Sequence, residues 1–454
     1  MNILIAGCGK VSTEVLTDLV AEGHNVTALD WDPAVLSAIT DIHDVMTVCG
    51  NVSNCAILEE AGVAGADIFM AATGSDETNM LACFIARRMG AKHTIARVRN
   101  PEHSEQSQRF LREQLNLSML INPEQLAARE LFHLLKLPAA VKVETFSRLN
   151  FEMIELRLKP DSVLDGVRIS DMRTKYKAKF LICVVQRGEE VFIPDGSFVL
   201  KSGDRIGVTA TTTEIHKLLK ELGTLQKPAR RVMLLGGSRT AVYLARLLTE
   251  SGASVTIIEK NERVCRDLCE ILPKASIILG DGAQQELLLE EGLPEQDAFV
   301  SLTGMDEENI LISYFAASQN VPTVVSKVNR DELVLMAQRL GLDSLISPKK
   351  SVADMVVRYA RALENSADSN IETLYHLMDD KAEAVEFVVS HEPERPLLGV
   401  PLKDLKLKPN ILIAGIIRQR RAIIPGGNDA MQLGDRVVVL AADRRLQELT
   451  DILA

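Results

Sequence analysis

The feature that most constrains this chain is that its pattern is written twice. Gly7, Asp30, Gly50, Thr73, Asp76, Asn79 and Arg97 recur as Gly236, Glu259, Gly280, Thr303, Asp306, Asn309 and Lys327. The offset is 229 for the first two pairs and 230 for the other five. Glycines, acids and a cation returning at so steady a spacing imply one supersecondary unit built twice. A shorter repeat follows each copy: Phe192-Ile-Pro-Asp-Gly196 with Gly203-Asp-Arg205, then Ile423-Ile-Pro-Gly-Gly427 with Gly434-Asp-Arg436, at an offset of 231. The chain therefore reads as A-B-A′-B′. The expected divisions are 1–140, 141–227, 228–365 and 366–454, broken at Lys136-Leu-Pro-Ala139, Gly223-Thr-Leu-Gln-Lys-Pro228 and the polar stretch 364–370. A length of 454 residues suits three or four domains of about 100–150 residues each.

Within A, short apolar runs at 3–6, 26–30, 45–48, 67–72, 94–98 and 118–121 have the look of buried parallel strands. Helix-period segments separate them, with Val11, Val15, Leu19 and Val20 on one face of the first. Strand and helix alternating in this way predict an α/β fold with two Rossmann-type doubly wound parallel sheets, one per copy. Each B unit predicts a small α+β module. Its strands are expected at 151–158, 180–186, 191–193 and 205–209, with a short helix around Ile169–Met172 and turns at Gly188 and Pro194-Asp-Gly196.

The charge balance excludes some functions. A formal net charge of −11 argues against non-specific binding to nucleic acid. One Trp and five Tyr leave little material for stacking bases. The longest apolar run, Ile411 to Ile417, is strand-sized, and the sequence begins on a strand without a basic, cleavable leader, so a cytoplasmic location is expected. Seven dispersed cysteines fit a reducing compartment. Cys265 and Cys269 share a helix face at i,i+4, and packing is the expected role of both thiols rather than metal binding.

The chemistry sits at the turns after the strands. Gly7-Cys8-Gly9-Lys10-Val11-Ser12 follows the first strand and opens the first helix, a GxGxxG pattern whose last glycine is serine. Its first glycine permits the tight turn, and its second lets a pyrophosphate approach the free N–H groups of the helix N-terminus. Asp30 lies 21 residues beyond Gly9 at the end of the second strand, where a carboxylate can accept both ribose hydroxyls. The same charge disfavours a 2′-phosphate, which leaves NAD(H) or ADP/ATP as the expected cofactor. Thr73-Gly74 lies across the switch point from the first strand, and Asn51 is expected at the end of the third, beside the adenine. Arg97, with Arg99, is expected either to face the phosphates or to form a surface ion pair. Asp76 reads equally as site residue or helix cap, and Trp31 as adenine cover or packing.

The second copy repeats the site with substitutions. Gly236-Gly-Ser238-Arg239-Thr240-Ala241 has serine where the close-approach glycine belongs, and Glu259 stands for Asp30. Asp281, Thr303 and Lys327 stand for Asn51, Thr73 and Arg97. A Cβ at 238 crowds a pyrophosphate, so this site is expected to be weaker or tuned to another nucleotide.

Taken together, Gly7-Cys-Gly9, Leu29-Asp-Trp-Asp-Pro33, Gly50-Asn51, Ser75-Asp-Glu-Thr-Asn79, Ile95-Ala-Arg-Val-Arg-Asn-Pro101 and Ile121-Asn-Pro123 resemble the Trk-type potassium-uptake regulatory subunits. Ile257-Ile-Glu-Lys260, Gly280-Asp-Gly282, Leu302-Thr303 and Ser347-Pro348 extend the resemblance through the second half. It spans essentially the whole chain in the order RCK-N, RCK-C, RCK-N, RCK-C. It implies a peripheral protein on the inner face of the cell membrane that binds NAD(H) or adenine nucleotides and gates a potassium translocator. It also implies a homo-oligomer, dimer or tetramer, and puts the family's binding positions on Gly7 through Val11, Asp30, Thr73-Gly74 and Arg97.

The competing class is an NAD-dependent oxidoreductase. Such an enzyme needs a substrate domain that brings an acid or base to the nicotinamide. The B units are small, the eight histidines recur at no repeated position, and no P-loop or nucleophile elbow is present. Regulation without catalysis is the expectation. A scaffold with vestigial sites is the third class, and Ser238 is what keeps it open.

Overall fold

The computed structural model describes residues 1–100, 105–146, 151–225, 227–365, 371–378, 381–390, 395–419, 421–442, 446 and 448–454. Pro101, Arg420 and most of the expected boundary at 364–370 lie outside them.

The first copy contains β1 (Asn2–Ala6), α1 (Lys10–Ala21), β2 (Asn25–Asp30), α2 (Pro33–Thr40), β3 (Met46–Cys49), α3 (Cys55–Glu60), β4 (Ile68–Ala71), α4 (Asp76–Met89), β5 (His93–Arg97), α5 (Glu105–Gln114), β6 (Met119–Ile121) and α6 (Pro123–Lys136). After it come β7 (Lys142–Phe146), β8 (Phe151–Arg157), α7 (Ile169–Lys175), β9 (Leu181–Arg187), β10 (Glu190–Phe192), β11 (Arg205–Thr211) and α8 (Thr212–Glu221). The second copy contains β12 (Arg231–Leu235), α9 (Arg239–Glu250), β13 (Ser254–Glu259), α10 (Glu262–Ile271), β14 (Ser276–Leu279), α11 (Gln285–Glu290), β15 (Ala298–Ser301), α12 (Asp306–Ser318), β16 (Thr323–Lys327), α13 (Asp331–Arg339), β17 (Leu345–Ile346) and α14 (Pro348–Asn365). The last stretch holds β18 (Ile371–Leu377), β19 (Ala382–Val388), β20 (Ile411–Arg418), β21 (Arg421–Ile423) and β22 (Arg436–Ala442). Among the described residues no helix is long and apolar enough to cross a membrane.

The chain divides into two compact units, residues 1–135 with 229–360 and residues 136–228 with 361–454. The first unit holds both parallel sheets, in the orders β3-β2-β1-β4-β5-β6 and β14-β13-β12-β15-β16-β17. β1 pairs with both β2 and β4, so the order reverses beside it, and a crevice opens at the carboxyl ends of these strands. The strands form because their residues are apolar on both faces. Leu4, Ala6, Phe69 and Ala71 are buried together against Ala82, Cys83 and Ala86 of α4. The fourth strand stops earlier than its apolar run suggests. Ala72 still donates to the Ala6 carbonyl at 2.8 Å, but the Thr73 N–H turns to the Asn79 side chain. In α10, Cys265 is buried while Cys269 is exposed, so only the first thiol packs as expected. Among the described residues no three His, Cys, Asp or Glu side chains converge as metal ligands would.

The second unit contains two antiparallel five-stranded sheets of one topology, β10-β9-β11-β8-β7 and β21-β20-β22-β19-β18. They share a core in which Phe146, Phe151, Cys183 and Val184 meet Leu377, Ala384, Val438 and Leu440. Gly415 is needed here, because a Cβ on it would lie 2.4 Å from the Phe151 ring. The repeated Gly-Asp-Arg motif is structural. Asp204 is 1% exposed and takes Arg187 through both oxygens, at 2.8 and 2.7 Å, while its repeat Asp435 takes Arg418 at the same distances. The following arginines pair with buried glutamates, Arg205 with Glu155 and Arg436 with Glu386. Arg418 is thus committed to Asp435. Removing the Asp204 carboxylate should cost this unit about 2–3 kcal/mol, the scale of a lost charged hydrogen-bond pair with one partner partly exposed. A lower urea midpoint at unchanged slope for Asp204→Ala is the expected result.

Candidate nucleotide-binding site

Both turns are built the same way. The Gly7 N–H donates to the Leu29 carbonyl at 2.8 Å, and the Gly236 N–H to Ile258 at 2.8 Å. Gly7 has φ +88° and Gly236 φ +93°, the left-handed region in which a side chain is strained. A Cβ on Gly7 would lie 2.7 Å from the Thr73 nitrogen, so β1 and the loop after β4 can close on each other only without it.

The acid at the end of β2 then ties this turn down. Asp30 is 8% exposed and accepts the Cys8 N–H at 2.6 Å and the Asp32 N–H at 3.0 Å. Glu259 does likewise for Gly237, at 2.7 Å, and Asn261, at 2.8 Å. The carboxylate therefore organises the turn, a role the spacing alone did not reveal. The Cys8 thiol points away from the crevice into the core, where burial pushes it up to about 12. Only the backbone of Cys8 belongs to the site.

The helix ends differ. Gly9 is the N-cap of α1 and offers its first-turn N–H groups no side chain, and the space beside its Cα is open. Those N–H groups and the helix dipole are what an anion needs. Ser238 is the N-cap of α9 and accepts the Ala241 N–H on its own hydroxyl at 3.4 Å. The second helix thus partly satisfies itself. Lys10 and Arg239 stand exposed at these two first turns, Val11 is half-buried, and Thr240 is buried in α9.

The loop after β4 rests on a repeated asparagine. Asn79 is fully buried; it accepts the Thr73 N–H and Oγ1–H at 2.7 Å each and donates to the Arg97 carbonyl at 2.9 Å. Asn309 holds Thr303 and Lys327 in the same way, at 3.0, 2.8 and 2.9 Å. Asp76 is not the cap of α4; Ser75 fills that role. Asp76 instead accepts the N–H groups of Arg99 and Asn100 at 2.8 and 2.9 Å, because its side chain turns from the helix toward the chain leaving β5.

Arg97 is not in a surface ion pair. Its guanidinium donates to the Thr73 carbonyl at 2.5 Å, and burial, with Arg99 beside it, lowers it to about 10. Arg99 reaches the Gly74 carbonyl at 3.0 Å. Lys327 is likewise lowered by burial, and its Nζ lies 3.4 Å from the Leu302 carbonyl oxygen. Asn51 and Asp281 lie past the ends of β3 and β14 and fold their own loops, accepting the N–H groups of Ser53 at 2.9 Å and Ala283 at 3.0 Å. Trp31, the residue after β2, is 77% exposed, so it is not packing.

Gly7→Ala should cost about 1–3 kcal/mol in stability, the usual range for a side chain forced into such a backbone conformation. Chemical denaturation checks this, with Gly74→Ala as the control, since a Cβ there meets nothing within 4 Å.

Relatives share this arrangement of segments. The TrkA-N domain matches residues 3–123 and 232–348, and the TrkA-C domain matches 153–223 and 385–454. The Trk system potassium uptake protein TrkA homolog of Archaeoglobus fulgidus is 32% identical over 453 residues, covering 100% of both chains. The Trk system potassium uptake protein TrkA of Haemophilus influenzae is 30% identical, over 98% of this chain and 96% of its own. Among solved structures, the GsuK channel bound to NAD superposes with a TM-score of 0.64 at 17% identity, over 97% of this chain and 77% of that one. The GsuK RCK domain gives 0.62 at 18% identity, over 97% and 92%. Both likenesses speak to the fold.

Proposed function

The chain belongs to the family of Trk system potassium uptake proteins, and from that premise we propose that it is a nucleotide-binding subunit that gates a membrane potassium translocator without catalysing a reaction. The observation that carries this reading is the first crevice. An uncapped helix N-terminus, a turn tied to Asp30 and the Thr73-Gly74 loop packed against Gly7 converge there. NAD(H) and ADP/ATP are the ligands this chemistry suits: the helix end takes the phosphates, and Asp30 takes the ribose hydroxyls on its remaining lone pairs. The residues assigned to this role are Gly7, Gly9, Lys10, Val11, Asp30, Thr73, Gly74 and Arg97, with the Cys8 backbone. In the second half they are Gly236, Ser238, Arg239, Thr240, Glu259, Thr303 and Lys327.

A nucleotide can bias such a protein only by binding one arrangement of it more tightly than another. Coupling energies of about 1–3 kcal/mol are typical and suffice for a several-fold to hundred-fold shift. The acidic chain has no general attraction to anionic lipid, so docking at the inner membrane face calls for a specific protein partner, met as a homo-oligomer.

Three outcomes are expected. Asp30→Ala should weaken NAD or ADP binding at the first site by about 1.5–3 kcal/mol, as for a lost hydrogen bond to a charged group. Trp31, the only tryptophan, reports that site by fluorescence. Ser238→Gly should tighten the second site about 2–10-fold, by freeing a helix N–H and the space beside it. In vesicles holding the cognate translocator, rubidium uptake should depend on this chain and on the nucleotide, with no product released from the nucleotide at steady state. Flux indifferent both to the chain and to its Asp30→Ala form would sink the reading, and turnover of NAD would favour the oxidoreductase instead.

A further inference from the structure

Among the described residues, polar contacts join the two halves of the parallel-sheet unit, and one of them links the helix after the second turn to the loop after β4. Tyr243 sits on α9, one turn beyond Arg239, and is 8% exposed. Its hydroxyl receives the Asn122 amide at 2.8 Å and donates to the Arg99 carbonyl at 3.2 Å. Arg99 in turn donates its guanidinium to the Gly74 carbonyl at 3.0 Å, and its own N–H goes to Asp76 at 2.8 Å. An unbroken hydrogen-bonded path thus runs from the helix whose N-terminus faces the second crevice to the loop that walls the first. Among the described residues the mirror position carries ion pairs instead, with Lys349 lying 3.9 Å from Asp331 as well as against the first half. At the repeat position of Tyr243 the first half carries Glu14, which pairs with Lys349 at 2.7 Å. The repeat of Arg99 is Asn329, whose side chain reaches only Asp306, at 3.1 Å.

We propose that Tyr243 is the positioning residue through which the second crevice sets the loop of the first. A rotation or shift of α9 moves the tyrosine hydroxyl. Because Tyr243 and Asn122 are buried and the bond to the Arg99 carbonyl is partly so, the Arg99 backbone must follow or the two hydrogen bonds break. Arg99 then carries the Gly74 carbonyl with it. The coupling is reciprocal, as any coupling between two binding sites must be, and it is read here at the open first half as the self-capped second half is altered. This rests on the reading of both crevices as nucleotide sites.

The test is a double-mutant cycle on the full chain. Glu259→Ala releases the second-half turn from its carboxylate, and Tyr243→Phe removes only the hydroxyl. First-site affinity for ADP is read from Trp31 fluorescence in the unaltered chain, the two single variants and the double variant. The same four chains are followed without ligand by amide exchange of residues 72–79. Glu259→Ala should change the first-site Kd at least about fivefold when Tyr243 is present, the low end of usual coupling, and less than about twofold when phenylalanine replaces it. Exchange at 72–79 should respond in the same pattern. Arg99→Ala, which removes the guanidinium link to the Gly74 carbonyl, should reproduce the Tyr243→Phe result should that variant melt early. Equal shifts in both backgrounds, or no shift in either, overturn the proposal. A chain that binds no ADP overturns the nucleotide reading, while the exchange cycle still decides whether Tyr243 couples the two turns.

Discussion

The parallel-sheet unit depends on one interaction made twice: a carboxylate at the end of the second strand accepting the N–H of the residue after the first turn glycine. Asp30 holds Cys8 and Glu259 holds Gly237, each within 2.7 Å. The bond closes β1 against β2 at the place where the helix must begin, and so sets the direction in which the helix N-terminus points. The two versions are compensated. Glutamate is longer by one methylene, and the residue it holds is a glycine. A Cβ at 237 would lie 2.6 Å from Leu268 and 3.2 Å from the glutamate oxygen itself. In the first half the shorter aspartate leaves room for the Cys8 side chain, which fills the core. An acid that looked like a ligand contact is therefore also a fold determinant.

Much of the fold was legible because its cause is local. Apolar runs of strand length, separated by helical periods, gave the parallel strands nearly to the residue. Glycines at constant offset gave the duplication, since an αL turn packed against a neighbouring strand tolerates little else. What escaped has a different physics. β7 is five residues at the edge of its sheet, with Lys142 and Glu144 interrupting the apolar positions, so its pattern resembles a linker. α8 carries the helical spacing of Ile215, Leu218 and Leu219, but it follows β11 without a break, Thr211 both ending the strand and capping the helix, so no turn residue marks it off. The Gly-Asp-Arg repeat was visible, but its meaning was not. That Asp204 meets Arg187 from another strand is a fact of tertiary structure.

The candidate site was legible in its glycines and acids and less so in its polar scaffolding. Asn79 and Asn309 stood out only as repeated letters. Their function, satisfying four polar groups of a buried loop with one amide, is an accounting requirement of burial that no spacing rule states. Asp76 looked like a cap because acids favour first turns, yet Ser75 took the cap and freed the carboxylate to hold the chain beyond β5.

Duplication within one chain, rather than pairing of two identical chains, lets the halves diverge while remaining in register. A symmetric pair must carry the same residue on both sides of its contact. Here Tyr243 faces Asn122 on one side, while Glu14 faces Lys349 on the other. A neutral, directional hydrogen bond transmits position, since it fails when its partners move by a few tenths of an ångström. A partly exposed ion pair tolerates the same movement, because its energy falls slowly with distance. The chain has thus placed a stiff contact where the self-capped half meets the open one and a compliant contact at the mirror position. The asymmetry of Gly9 and Ser238 at the helix ends and the asymmetry of the interface fall between the same two halves: one helix N-terminus is left open, and the other is capped by its own serine.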